Sequence, residues 1–482
     1  MVRADKLLKF ERELDLIFVA KKDGLFTITE KDRLLFLEKE KRDILKAEEL
    51  EWRLKSRALW IKSGDHNTKF FHNFANQRRI QNSIWELKNS DGVLVTDHHD
   101  LSMAVVDHFS RVFSDPRHSR IYEQLKIIQL FPRLFTTEDS SLIGRPVTVD
   151  EVESILKLCA KEKSPGPDGW LVEFYLGLWD VLGEELCQLV EGTRCQGYIS
   201  GAMNFTFIAL IPKVTKPSSF EDFQPIVLCN FIYKLIPKII AERLKPFLEK
   251  CITSKQFGFL HHHLIHDAMG LAQEGIHTIK SKDIPAILLK LDLVKAYDKI
   301  DWTYLRLLLL HIGLDQDLVG WIMACVTNFH FAVLVNGSPS SFFRSSKGLR
   351  QGCPLSPLLF ILVMDGLSRL ISFHKASGKI RGVRVSSNIS LSHVLFVDDV
   401  LLFGGNSMEE WQCFSDILTL FYTTSGMEIS LTKSALIAHK GVIDDRICGI
   451  FPFPVSSLED GFKYLGFTLK PDSYRKKDWM WL

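Results

Sequence analysis

The stretch that most restricts how this chain folds is HVLFVDDVLLFG, His393–Gly404, which sets two adjacent aspartates between two apolar runs. The flanking HVLFV and VLLFG are β-prone. Apolar residues on both faces predict a hairpin covered by its neighbours. The plain alternative is an ordinary surface hairpin. Asp398 and Asp399 are expected to form the two-residue turn, because Asp tolerates positive φ. Burying one carboxylate is costly, and burying two side by side is worse. Such a pair calls for a positive partner, and a divalent metal ion is the natural candidate.

A further carboxylate must then come from elsewhere. AILLKLDLVKAYDKIDW offers Asp292 at the end of an apolar strand, where a sheet edge opens towards solvent. Asp298 and Asp301 fall in the helical stretch that follows and are expected to be helix-surface acids. Asp292, Asp398 and Asp399 together would hold two Mg2+ ions at roughly 3.5–4 Å, one activating an attacking hydroxyl and one stabilising a leaving group.

The rest of the chain sets bounds. Its 482 residues exceed one ordinary core. A net charge of +2 argues for no particular partner, so any nucleic-acid footprint must be local. Nine cysteines, none at C-x-x-C spacing, fit a reducing, intracellular compartment rather than a disulfide or zinc framework. The charged N-terminus has no signal-peptide core, and PLSPLLFILVMDGL is interrupted by Asp365 and too short to span a bilayer. No membrane is expected.

Residues 1 to about 60 are charge-dense, with Leu34, Leu35, Leu37, Ile44 and Leu45 at helical spacing. A run interleaving Lys69, Arg78 and Arg79 with Phe70, Phe71, Phe74 and Trp85 joins phosphate contacts to stacking surfaces, or is a helix with one wet face. SIWELKNSDGVLV predicts a hairpin turning at Asp91-Gly92, and Thr148 caps a helix from Val149. SPGPDG forces an irregular loop. Strands at FTFIALIPKV, PAILLKLDL and FAVLVNG alternate with helices at YKLIPKIIAERLKPFLEK and SPLLFILVMDGLSRLI, an α+β pattern. Ser356-Pro357 suits a helix N-cap and first position.

From SRALWIKSGDHNTKFFH to FKYLGFTL the chain resembles the reverse transcriptase region of LINE-type (non-LTR) retrotransposons, most like plant members. KSPGPDG, LIPK, DFQPIVLCN, LDLVKAYD, GLRQGCPLSP, FVDD and FKYLG occur in the family order. The resemblance implies a right-hand polymerase with an antiparallel palm sheet. Fingers and palm would occupy 145–482, behind a helical extension or linker over 1–144. It implies metal-binding roles for Asp292, Asp398 and Asp399, and a steric gate against a ribose 2′-OH for Tyr297. Gln351, Gly352, Gln224 and Lys433 would line the nucleotide pocket, Lys433 near the pyrophosphate. Lys163, Asp168, Lys213 and the FKYLG residues Tyr464, Leu465 and Gly466 would contact nucleic acid. RNA template, DNA primer and deoxynucleoside triphosphates are the implied partners, and the nucleus the implied location.

Three departures stand against the family pattern. Gln224 replaces the arginine of the usual RPI motif, and an amide cannot grip phosphate as a planar cation does. That loss is worth about 2–4 kcal/mol at a transition state, or roughly 30- to 1000-fold in rate. His262 and His263 stand where a Gly-Arg pair is usual. His262 and His266, spaced i, i+4, also allow a metal site. The chain is expected to be a fragment lacking the endonuclease and most of the thumb. The rival readings are a catalytically impaired remnant that keeps the fold and RNA binding, a maturase-like splicing factor, and a host interaction protein built on the N-terminal helices.

Overall fold

The computed structural model describes residues 2–19, 26–56, 68–89, 91–114, 120–161, 163–261, 264–327, 329–441, 443–472 and 474. Packing divides the chain into two compact units, 1–85 and 86–482. The first holds helices Val2–Val19, Ile28–Ser56 and Thr68–Asn82. Phe10 and Leu37 are buried, whereas Leu35 and Leu45 stay exposed. The first two helices are laced by ion pairs, Arg33 gripping Glu13 at 2.7 and 3.0 Å and Lys41 reaching Glu11 at 2.8 Å. The side chains of Lys69, Phe70 and Phe71, and the residues His262 and His263, lie outside what is described.

In the second unit Leu87–Lys88 and Leu94–Val95 pair as the expected hairpin. Asp97 caps helix His98–Phe113, whose buried face is Leu101, Val105, Phe109 and Phe113, a clean i, i+4 stripe. Phe113 packs on Phe331 at 4.8 Å between ring centroids. The division expected at 144/145 therefore falls inside this unit. Thr148 caps helix Val149–Leu158 by accepting from the N–H of Glu151, as its spacing predicts.

Two sheets organise the unit. In the first, Phe205–Pro212 runs antiparallel to Phe223–Cys229 and parallel to His330–Val335, which carries the short strands Ser338–Pro339 and Phe343–Arg344. The second has six strands in the order Val455–Ser457, Ala435–Ala438, Ala286–Leu291, Asp399–Gly405, His393–Phe396, Gln256–Phe257. Its four inner strands are antiparallel, as expected, but both edge pairings are parallel. Ala286–Leu291 has a partner on each side and is buried at all positions but Lys290. That double cover is why its sequence reads as an unbroken apolar run.

Helix Ser356–Ala376 is long and apolar enough to cross a membrane by length and composition, contrary to the length read from sequence, and 78% of its most apolar window is buried. Its N-cap is Leu355, so Ser356 and Pro357 occupy the first turn instead. Asp365 is fully buried within it. It accepts from the Thr253 N–H (3.1 Å), the Thr253 hydroxyl (2.6 Å) and Arg369 Nε (2.7 Å). All nine cysteines are free.

Candidate active site

The register of the six-stranded sheet decides where the carboxylates meet. Leu291 pairs with Val400 in an antiparallel ladder, and Asp292 and Asp399 each lie one residue beyond that pair on the two neighbouring strands. On the other side of the hairpin Phe396 pairs with Asp399. The two-residue turn is thus Val397-Asp398, not Asp398-Asp399, and Asp399 is the first residue of its strand. Positive φ falls on Val397, at 55°. A β-branched residue there is a genuine outlier, because its Cβ crowds the backbone.

The structure brings Asp292, Asp398 and Asp399 together. Burial raises the Asp398 carboxyl above its usual range, and the charge of Asp292 adds to the rise. Asp399 is pushed up to about 6, by burial first and the charge of Asp398 next, against a lowering by Lys290. Asp398 and Asp399 thus both feel the charge of Asp292, and Asp399 that of Asp398 as well. Asp292 is partly open to solvent and lies 3.9 Å from Lys433 Nζ. Its backbone is fixed on both sides: its N–H donates to Ser434 Oγ (3.2 Å) and its C=O accepts from Ser430 N–H (2.8 Å). Among the described residues no group of three His, Cys, Asp or Glu side chains closes tightly enough to hold a metal ion as it stands. The donor chemistry fits one nonetheless: carboxylate oxygens only, suited to a hard divalent cation.

Tyr297 follows on the turn Ala296–Lys299 and stacks on Phe360, with ring centroids 4.3 Å apart and planes 9° apart. Burial and the nearby charge of Asp398 raise its phenol. Asp298 and Asp301 are not surface acids. Asp298 is 3% exposed and accepts from Gln351 Nε2 at 3.2 Å. Asp301 caps helix Trp302–His311 through the Tyr304 N–H (2.7 Å) and accepts from Gln124 (3.1 Å). A helical period could not reveal this, because the helix ends at Lys299 and restarts after Asp301. Arg350, beside Gln351, was not singled out by sequence either. It is buried, with its guanidinium 3.5 Å from the Tyr233 ring centroid and 4.5 Å from that of Phe329. It donates to Thr206 Oγ1 (3.1 Å) and Cys325 O (2.9 Å).

The remaining motif residues are spread more widely. Gln224 is exposed on strand Phe223–Cys229, opposite Ile211. Lys213 is exposed and donates to Glu221 O at 3.3 Å. Lys163 is exposed at a cavity of about 410 Å³ whose lining includes Trp170, Lys234, Lys238 and Gly352. Asp168 spends its carboxylate on its own loop, accepting from the Trp170 N–H at 3.1 Å. The FKYLG hairpin forms, Phe462–Tyr464 with Phe467–Leu469, turning at Leu465-Gly466. Tyr464 is a correction. Its ring is 1% exposed, packed with Leu288, Val394 and Leu401, so its side chain does not reach a nucleic acid. The apolar alternation of the hairpin turns it inwards.

The three aspartates thus lie at the ends of neighbouring inner strands of the six-stranded sheet. Residues 211–469 match the family model described as reverse transcriptase (RNA-dependent DNA polymerase), and the chain belongs to that family. It is 23% identical over 426 residues to the Transposon TX1 uncharacterized 149 kDa protein of Xenopus laevis, covering 87% of this chain and 32% of that one. It is 25% identical over 354 residues to the retrovirus-related Pol polyprotein from type-1 retrotransposable element R2 of Popillia japonica, covering 70% and 47%. It is 44% identical over 75 residues to the uncharacterized mitochondrial protein AtMg01250 of Arabidopsis thaliana, covering 15% and 62%. The chain thus spans about a third to a half of the length of the first two relatives.

Proposed function

We propose that this chain is the reverse transcriptase segment of a non-LTR retrotransposon, most like plant ones, and that it copies RNA into DNA. The observation that carries the reading is that Asp292 and Asp399 lie one residue beyond the Leu291–Val400 pair of neighbouring strands, with Asp398 in the adjoining turn. In the reaction a primer 3′-oxygen bonds to the α-phosphorus of a deoxynucleoside triphosphate and pyrophosphate leaves. Two Mg2+ ions held by the three aspartates would supply the charge that activates the hydroxyl and stabilises the leaving group.

The chain's own residues do the rest. The Tyr297 ring, stacked on Phe360, would act as the steric gate against a ribose 2′-hydroxyl. Lys433, 3.9 Å from Asp292, would bring a cation towards the pyrophosphate. Lys163, with Trp170 and two further lysines at its cavity, offers the template cations beside a stacking surface. Fingers and palm are assigned to 145–482, behind a helical N-terminal extension or linker over 1–144. A nuclear location follows from the same family reading.

The impaired-remnant reading keeps one observation in its favour: Gln224 stands exposed where the family's arginine would grip the triphosphate. Primer extension by the purified chain with Mg2+, beside Asp398→Ala, decides between the two. Wild-type extension lost in the variant supports the polymerase; equal incorporation by both removes it.

A further inference from the structure

We propose that Asp298 is a positioning residue for nucleotide selection: its carboxylate fixes the carboxamide of Gln351 so that Oε1 faces the nucleotide sugar as an acceptor. This rests on the polymerase reading and adds a residue that the sequence placed among surface acids.

The orientation follows from the partner. An ionised carboxylate can only accept, so the end of Gln351 that lies 3.2 Å from Asp298 is Nε2. Among the described residues that is the one hydrogen bond the Gln351 side chain makes, which leaves its carbonyl oxygen free. A deoxynucleotide's sugar carries one hydroxyl donor, the 3′-OH, and a free amide oxygen is the acceptor it needs.

The two segments are sewn together. The Leu349 N–H donates to Tyr297 O (2.7 Å) and the Gly348 N–H to Ile300 O (2.8 Å). A Cβ on Gly348 would stand 2.6 Å from the Asp298 carbonyl oxygen, so only glycine permits this approach. The same four-residue turn therefore sets both the Tyr297 ring and the Gln351 amide. Burial of Asp298 is also expensive. Among the described residues it forms no ion pair within 4.0 Å, and the charges of Lys295 and Lys299 offset only part of that cost. A site required only for packing would be better served by an apolar residue.

The test is single-nucleotide incorporation by the full chain. kcat and KM are measured for a deoxynucleoside triphosphate and its 3′-deoxy analogue with wild type, Asp298→Ala, Asp298→Asn, Gln351→Ala and the Asp298→Ala/Gln351→Ala double variant. Asp298→Ala is expected to lower kcat/KM for the normal nucleotide about tenfold and for the 3′-deoxy analogue less than about threefold. Asp298→Asn, which keeps an acceptor, restores the normal nucleotide to within about threefold. In the Gln351→Ala background Asp298→Ala adds less than about twofold. Equal losses for both nucleotides, multiplying losses in the double variant, or an Asn variant as impaired as Ala each overturn the proposal. If Asp298→Ala does not fold, Asp298→Leu, of similar volume and without an acceptor, takes its place. A wild type that incorporates nothing removes the polymerase reading and this one with it. A wild type that incorporates while the losses multiply removes this one alone.

Discussion

Two hairpins of this molecule solve the same geometric problem differently. Both close with two residues, Val397-Asp398 in one and Leu465-Gly466 in the other, and both need positive φ: 55° at Val397, 51° at Leu465 and 84° at Gly466. The second uses glycine at one position, as a tight hairpin prefers. The first keeps a carboxylate in its turn and forces a β-branched residue into the left-handed region. Strain of this kind persists only where the surroundings over-determine it, and it concentrates at functional sites. The support here is specific. Gly258 lies under Val397, and the Val397 N–H donates to Phe257 O at 3.1 Å.

The widest separation between the hairpins is expected in activity. Asp398→Ala should cut primer extension by about 1000-fold or more, whereas Leu465→Ala should stay within about tenfold. Comparable losses in both would erase the distinction. Stability should separate them next. Gly258→Ala puts a Cβ 2.6 Å from Val397 Cγ2 at φ +99° and should cost about 2–3 kcal/mol. Gly466→Ala, at φ +84° with nothing within 4 Å, should cost about 1 kcal/mol. Urea denaturation reads both, and equal costs would mean that Gly258 does not buttress the turn.

The pH dependence sharpens the contrast further. Asp399 titrates at about 6 in the fold against 3.8 for the free group. A raised carboxyl contributes stability in its protonated form, so the contribution is full below about pH 4 and fades as pH rises through about 6. In metal-free buffer Asp399→Asn should therefore raise stability by about 1–2 kcal/mol at pH 7.5 and leave it unchanged at pH 4. A variant less stable than wild type at pH 7.5 would contradict this. The smallest effect is expected for Val397→Gly. Relief of backbone strain, about 1–2 kcal/mol, nearly offsets the lost valine burial, leaving a net change within about 1 kcal/mol. A loss above about 3 kcal/mol would show that the turn carries no strain.

Much of this was legible in the residues. Ala286–Leu291 and His393–Phe396 read as strands because both faces are covered, and Thr148 announced its helix through the acceptor that its first turn needs. The convergence of Asp292 with the hairpin pair followed from their chemistry, since isolated buried acids would have no compensation. Other features had no local signature. The turn shifted by one residue, because register is set by pairing along the whole strand and not by which residues favour turns. Asp298 looked like a helix-surface acid because the break in the helix after Lys299 depends on contacts with Gly348 and Leu349, some 50 positions along the chain. Tyr464 looked like part of a nucleic-acid grip, yet strand alternation points it into the core.

Arg350 carries a consequence for anyone who ranks these motifs by charge. In GLRQG it looks like a ready phosphate ligand, yet it is clamped between two aromatic faces and its two terminal nitrogens donate to a threonine hydroxyl and a carbonyl. It is a tent peg: a cation driven inwards so that the residue after it is held taut. Exchange for lysine would keep the charge and lose the flat plate that fits the slot. A mutational scan would then group Arg350 with core leucines rather than with surface lysines.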